Sequence, residues 1–310
     1  MAAITVRGLE KSYGPVPAVR GVDFEVAEGE VFGFLGPNGA GKTTTVEILE
    51  GYRSRSAGHV EVLGHDPARG ERAFRERIGI VLQETGVERF LKVAEVIKLY
   101  GGYYPRPRSV DELLALTGLE SKRDALVKTL SGGQRRRLDL ALGLAGDPDL
   151  VFLDEPTTGF DPSARRSAWE VIRNLRTLGK TIFLTTHYMD EAQELADRVA
   201  VISKGKLVAE GPPSSIAGRD AATQIRFTLP PGTVTSDLPS VHPATLTTGS
   251  TASGKANSVI ISADDPTRPL QVVTTWALEQ RKTLHDLEVS RPSLEDVYLQ
   301  LTAESQVAGE

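Results

Sequence analysis

Short apolar runs alternate along this chain with longer stretches whose apolar residues fall three or four apart. Val31-Phe32-Gly33-Phe34-Leu35, Leu150-Val151-Phe152-Leu153, Thr181-Ile182-Phe183-Leu184-Thr185 and Val199-Ala200-Val201-Ile202 contain no charge. Such runs predict strands buried on both faces, as in the middle of a parallel sheet. Thr44 to Leu49, Leu138 to Leu144, Ser163 to Leu178 and Met189 to Ala196 predict helices, the third ended by Gly179. Ala3 to Leu9 alternates weakly and reads as an edge strand. Lys11 to Gly14 reads as a turn carrying an exposed aromatic, Tyr13. Val19 to Val26, His59 to Gly64, Arg77 to Gln83 and Lys206 to Glu210 read as further strands. Strands alternating with helices predict a mostly parallel sheet with helices on its faces.

Two stretches depart from that rhythm. From about Glu84 to Thr129 the pattern is helical, with Val93 to Tyr100 and Val110 to Leu116 separated by Tyr103-Tyr104-Pro105-Arg106-Pro107. Ser109 and Glu112 form a capping-box pattern. This block reads as a helical insertion. After Gly211-Pro212-Pro213-Ser214-Ser215 the composition changes, near residue 220, and 229–255 is rich in Thr, Ser, Pro and Gly. Strands at Thr223 to Leu229, Val259 to Ser262 and Thr283 to Val289, and a helix over Pro266 to Gln280, read as a small α+β appendage. Ser293, with Asp296, would cap a final helix. The expected division is 1–220 and 221–310.

Composition narrows the function classes. The 310 residues carry a net charge of −5, so no global basic field recruits nucleic acid. There is no cysteine, which excludes disulfides and thiol chemistry. Met1 to Arg7 lacks a signal-peptide pattern, and no apolar run approaches the ~18–20 residues that span a bilayer. A role at a membrane would need a partner that supplies the spans.

Candidate chemistry begins at Gly36-Pro37-Asn38-Gly39-Ala40-Gly41-Lys42-Thr43, which matches G-x-x-x-x-G-K-[ST] between a strand and a helix. Glycines let successive N–H groups turn inward on phosphate oxygens, and the helix adds free N–H groups and its positive end. Lys42 would reach the β- and γ-phosphates of a nucleotide and Thr43 would hold Mg²⁺. Asp154 and Glu155 end the apolar run at Leu153. Two acids there are often only a solvated strand end. Beside the P-loop strand, Asp154 becomes a Mg²⁺ ligand and Glu155 a general base for water. Ser131-Gly132-Gly133-Gln134, before a helix, makes either a capped hinge or a second anion cradle. Arg135-Arg136-Arg137 reads as a solvated helix face.

Together, Gly36–Thr43, Leu130–Gln134 and Leu150–Asp154 resemble the Walker A, signature and Walker B motifs of ATP-binding-cassette (ABC) ATPases, over about residues 3–215. The resemblance implies an α/β fold: a P-loop NTPase core with a mostly parallel sheet, an antiparallel β edge and a helical subdomain at about 84–148. It implies ATP and Mg²⁺ as cofactors. Tyr13 would stack on adenine, Gln83 would touch Mg²⁺ or water, and His187 would contact the γ-phosphate and orient Glu155. Residues 36–44 would cradle the phosphates. Ser131 to Gln134 and Asp161, the latter in a loop where Phe160 replaces the usual Leu, would complete the site of a second cassette. Such cassettes work as homodimers or paralogous heterodimers, at the inner face of the cell membrane on a polytopic permease. Ser290-Arg291-Pro292-Ser293-Leu294-Glu295-Asp296-Val297-Tyr298 is similar to the tail of drug-resistance and sodium-export type ATPases. A soluble ABC ATPase without a transport role is the alternative; such proteins usually carry two cassettes or a long coiled coil, and this chain has neither.

Overall fold

The computed structural model describes residues 1–81, 86–216, 222–230, 232–241, 245–249, 258–290 and 298. In chain order they form β1 (Ala2–Tyr13), β2 (Val16–Ala27), β3 (Val31–Leu35), α1 (Lys42–Leu49), β4 (Ala57–Val62), α2 (Arg72–Arg75) and β5 (Ile78–Val81). The helical block gives α3 (Val93–Gly101), α4 (Val110–Thr117) and α5 (Gly132–Gly143). Then come β6 (Leu150–Asp154), α6 (Pro162–Thr177), β7 (Thr181–Thr186), α7 (Met189–Leu195), β8 (Arg198–Ser203), β9 (Lys206–Gly211) and α8 (Pro213–Ile216). The rest forms β10 (Thr223–Thr228), β11 (Thr245–Gly249), β12 (Ser258–Ala263), α9 (Thr267–Glu279) and β13 (His285–Ser290). The chain divides into two compact units, Met1–Pro213 and Ser214–Leu301.

In the first unit a six-stranded sheet has the order β5-β6-β7-β3-β8-β9, parallel except for β9. Its central strands show no polar face because both faces are covered. Phe32, Phe34, Phe152 and Phe183 enter one core with Val6, Phe24 and Val60 of a three-stranded antiparallel sheet and Ile48 of α1. Val31, Val151, Leu153, Ile182 and Leu184 enter the other core, with α3 to α6. Phe24 stacks on Phe32 with ring centroids 5.5 Å apart. Each such phenylalanine contributes about 1.5–3 kcal/mol through burial.

Two expectations about neighbours are corrected. β1 is not an edge strand: it lies between β2 and β4, and Ile4 and Val6 are fully buried. Nor does β6 lie directly beside β3, since β7 separates them. Register still brings their carboxyl ends together, with Leu35 beside Thr186 and Asp154 beside Thr185. In open α/β sheets that edge is where ligands bind. The Ser109 capping box is present, with Glu112 N donating to Ser109 Oγ at 3.2 Å and Ser109 N to Glu112 Oε2 at 3.0 Å.

The second unit is an antiparallel sheet of order β11-β12-β10-β13 with α9. Ile225, Phe227, Val259, Ile261 and Val273 form its core. The expected Ser293 helix lies outside the described residues.

Candidate functional site

Packing dictates the turn after β3. A Cβ on Gly36 would sit 2.5 Å from the Ile202 carbonyl oxygen, and one on Gly41 would sit 2.6 Å from that of Ala18. Gly41 also has φ 107°, in the left-handed region that glycine occupies without penalty. The chain then enters α1 at Lys42, and no side chain caps that helix start. Its first-turn N–H groups are therefore open to a ligand. Pro37 is half-buried, Asn38, Gly39 and Thr43 are exposed, and Ala40 packs into the core.

Lys42 is only 8% exposed, and its Nζ donates to the carbonyls of Gly36 at 2.6 Å and Pro37 at 3.1 Å. Burial holds its pKa below the usual lysine value, against the opposing pull of the Glu155 and Asp154 charges. Lys42 thus lies within electrostatic reach of both carboxylates at the carboxyl edge of the sheet. The exposed Tyr13 ends β1, its hydroxyl 3.5 Å from Thr44 Oγ1. Lys11 and Arg53 lie 5.2 and 5.3 Å from its ring centroid.

At the end of β6, Asp154 Oδ1 accepts a hydrogen bond from the Thr185 hydroxyl. Glu155 has φ 45°, uncommon for a residue with a side chain. Its N–H donates to Thr185 O at 3.0 Å, which fixes the kink. The Glu155 carboxylate has a partner on each oxygen: His187 Nδ1 lies 3.2 Å from Oε1, and Thr158 Oγ1 donates to Oε2 at 3.1 Å. His187 leans on the Tyr188 ring, centroids 4.1 Å apart, and the Arg165 guanidinium lies 4.2 Å from the centroid of Tyr188.

Ser131 to Gln134 starts α5, six residues earlier than the apolar spacing from Leu138 suggests. Ser131 Oγ accepts from Gln134 N at 3.3 Å, and Gln134 Oε1 accepts from Ser131 N at 3.0 Å. This loop borders an open cleft of about 920 Å³ together with Glu155, Thr158, Phe160 and Asp161. No residue of 36–43 is among those lining it. Asp161 caps α6, accepting from Ser163 N and Ala164 N at 2.9 Å. Gln83 lies outside the described residues.

One residue of the arginine run is misread from sequence. None of Arg135, Arg136 and Arg137 is fully exposed, and Arg136 donates to the carbonyls of Asp154 at 2.8 Å, Glu155 at 3.3 Å and Pro156 at 3.1 Å. The signal was present: running the buried Leu144–Leu140 row back one turn lands on Arg136. α5 therefore carries the Ser131 loop at its start and grips the Glu155 turn one helical turn later.

The ABC transporter family model matches residues 19–158, and a model of the ABC transporter domain-containing protein-like C-terminal domain matches 223–293. The daunorubicin resistance ATP-binding protein DrrA3 of Streptomyces coeruleorubidus is 37% identical over 309 residues, 98% of this chain and 97% of that one. The chain belongs to the ABC transporter family. Another ABC relative, the Nod factor export ATP-binding protein I of Ralstonia nicotianae, is 38% identical over 96% of this chain and 93% of its own. Among solved ABC structures, cbiO1 of Clostridium perfringens, part of the ABC transporter complex cbiONQ, matches with a TM-score of 0.65 and 27% identity. That match covers 71% of this chain and 92% of cbiO1. A dimeric cassette bound to ADP and Pi shares the fold at a TM-score of 0.61 and 24% identity, covering 67% of this chain and 98% of that one.

Proposed function

We propose that this ABC ATPase is the ATP-hydrolysing subunit of an export system and drives efflux through a separate polytopic membrane permease. The observation that carries the catalytic reading is the Glu155–His187 contact of 3.2 Å at the sheet edge shared with Lys42 and Asp154. The export reading is supported by the names of the full-length relatives. Among the described residues no helix is long and apolar enough to cross a membrane, which suits a permease encoded as another chain and a cassette held by it at the inner face of the membrane. Residues 1–220 would be the nucleotide-binding domain, with the helical subdomain at about 84–148, and 221–310 an accessory domain.

In this reading the open N–H groups at the start of α1 and the Lys42 ammonium take the phosphates, and Tyr13 stacks on the base. The Thr43 hydroxyl and the Asp154 carboxylate are hard oxygen donors that fit Mg²⁺, with Gln83 as a further contact. Mg²⁺ bound there would neutralise charge on the β- and γ-phosphate oxygens. Glu155 takes a proton from the attacking water. His187 holds Glu155 in place and reaches the γ-phosphate. Ser131 to Gln134 and Asp161 of a second cassette, identical or paralogous, close the site. ATP then favours the closed dimer because it contacts both halves only there.

Glu155→Gln keeps size and hydrogen bonding but removes the base. It should bind ATP within about threefold of the parent and lose about 10²–10⁴ in turnover. A closed dimer should accumulate with ATP on size-exclusion chromatography. Normal turnover in this variant would remove Glu155 from the role.

A further inference from the structure

Glu191, in the first turn of α7, is completely buried, with 0% of its surface exposed. Its Oε1 accepts a hydrogen bond from Trp169 Nε1 of α6 at 3.1 Å. Burial pushes its pKa up, and the Thr186, Thr157 and Trp169 donors and the Arg165 charge pull the other way. Oε2, the Thr157 hydroxyl oxygen and Arg165 Nε nonetheless complete no hydrogen bond among the described residues. Burying an acid so incompletely matched is costly. A methionine would fill the same space without that cost, so packing alone does not call for a carboxylate here.

Each partner of Glu191 belongs to a segment that carries a site residue. Thr186 ends β7, and its Oγ1 accepts from Tyr188 N at 3.0 Å, a bond that brackets His187. Thr157 lies two residues after Glu155, and its carbonyl accepts from Phe160 N at 3.1 Å, closing the turn before Asp161. Beside it, Thr158 donates to the Glu155 carboxylate. Arg165 and Trp169 stand one turn apart on α6, the helix that Asp161 caps. Arg165 donates to Asp190 Oδ2 at 3.0 Å. Further along α6, Arg173 pairs with Glu194 and Arg176 with Asp197. Those pairs are solvent-exposed and hold the helix weakly. The buried carboxylate is the tie at the catalytic end. The 3.2 Å contact between His187 and Glu155 spans the two turns that it joins. A drift of about 1 Å in either turn would open that contact beyond hydrogen-bond range.

We propose that Glu191 is a positioning residue for hydrolysis: its buried carboxylate holds the Thr186–Tyr188 turn against the Thr157 turn and so keeps His187 on Glu155. The proposal rests on the catalytic reading of Glu155 and His187 given above. Glu191 meets neither nucleotide nor water in this scheme and acts through those two side chains. Its acceptor oxygens carry the effect, and its volume does not.

The test sets activity against stability in the full chain. Glu191→Met keeps the volume and removes both acceptors. Its Tm should equal or exceed that of the parent, because an incompletely matched buried acid is gone. Its kcat for ATP should nevertheless fall about tenfold, with KM within about twofold, as lost alignment in the transition state predicts. Glu191→Gln, which returns one acceptor, should recover part of the loss. Thr186→Val, which removes the bracketing hydroxyl and keeps the shape of a strand residue, should lower kcat in the same way. On a His187→Ala background neither Glu191→Met nor Thr186→Val should take anything further in single-turnover hydrolysis, because the histidine that they misplace is gone. The His187 imidazole resonance, assigned by its loss in His187→Ala, should shift in Glu191→Met. That of His65, which pairs with Glu71 instead, should not. Impaired His187→Ala with normal turnover in Glu191→Met or Thr186→Val overturns this proposal alone. Normal turnover in His187→Ala removes the catalytic reading and this proposal with it. A slow Glu191→Met that also melts lower and binds ATP weakly, or an unmoved His187 resonance, makes Glu191 a packing residue and overturns the proposal.

Discussion

The starts of α1 and α5 are two helix N-termini built from glycine-rich turns, and they are prepared in opposite ways. At α1 no side chain caps the helix, and packing on Ile202 and Ala18 forces the glycines. Its N–H groups wait for an external acceptor. At α5 the donors are partly spoken for: Ser131 and Gln134 satisfy each other's backbone N–H groups. In the proposed mechanism one loop is a phosphate site that a single subunit already holds open. The other is closed on itself, with a serine hydroxyl hydrogen and the Gly132 and Gly133 N–H groups left to offer a partner. The difference explains why the first binds nucleotide alone in the proposed mechanism while the second acts only across a dimer.

The hardest test of that contrast is Lys42→Ala. It removes the one cation buried in the α1 turn and leaves the Gly36 and Pro37 carbonyls without their donor. ATP affinity should fall about 100-fold or more, in line with loss of a desolvated charge pair, and turnover should reach background. Equilibrium binding of a fluorescent ATP analogue measures it; retained affinity would deny the P-loop its role.

Ser131→Ala probes the other start. Loss of the cap costs about 1 kcal/mol of stability, and ATP affinity should stay within about threefold because α1 is intact. Turnover should nonetheless fall about 10–100-fold, the price of one missing contact to transferring phosphate. Mixing Ser131→Ala with Lys42→Ala subunits should restore at most one competent site per dimer. Should Ser131→Ala bind ATP as poorly as Lys42→Ala, the division of labour between the two loops fails.

Arg136→Gln asks whether α5 acts on the Glu155 turn as well as on a partner's nucleotide. Glutamine cannot span the Asp154, Glu155 and Pro156 carbonyls that the guanidinium fork reaches. Turnover should drop about tenfold with unchanged ATP affinity, a loss near 1.4 kcal/mol at the transition state. Lysine should rescue little, since it lacks the planar fork. A variant with normal turnover and only a lowered Tm would reduce Arg136 to a brace.

What could be read from sequence follows how local each feature is. The P-loop is legible because its residue types fall at eight consecutive positions between a strand and a helix, even though the packing that demands Gly36 and Gly41 comes from Ile202 and Ala18. The central strands are legible because burial on both faces leaves unbroken apolar runs, as at Leu150 to Leu153. Strand neighbours are not legible: β1 reads as an edge until β4, some fifty residues on, pairs with it, and nothing in β6 says that β7 comes between it and β3. Arg136 and Glu50, the buried C-cap of α1, are missed for a related reason. A charged residue beside an apolar helical row looks like the solvated side, and only distant partners, the β6 carbonyls for Arg136 and the walls of α3 and α5 for Glu50, bury it.

The smallest effect concerns the other end of α1, and it shows as a pH slope rather than a lost activity. The folded-state pKa of Glu50 is raised to about 8, from an ordinary carboxylate value of 4.5. The native state therefore keeps a proton that the unfolded chain has already released. An acid raised on folding contributes nothing unfavourable below the unfolded value, and stability falls as pH climbs from there through the folded value. Between about pH 6 and pH 8 this one group should cost about 2 kcal/mol, a few degrees in Tm. The buried Glu191, also raised first by burial, shifts stability in the same direction, so the parent's slope alone does not isolate Glu50. The difference between the parent and Glu50→Gln does: the two should melt alike near pH 5, and the variant should pull ahead as pH rises. If the two curves stay parallel from pH 5 to pH 9, Glu50 carries no trapped proton. α1 would then be an open phosphate cradle at its start with nothing waiting at its end.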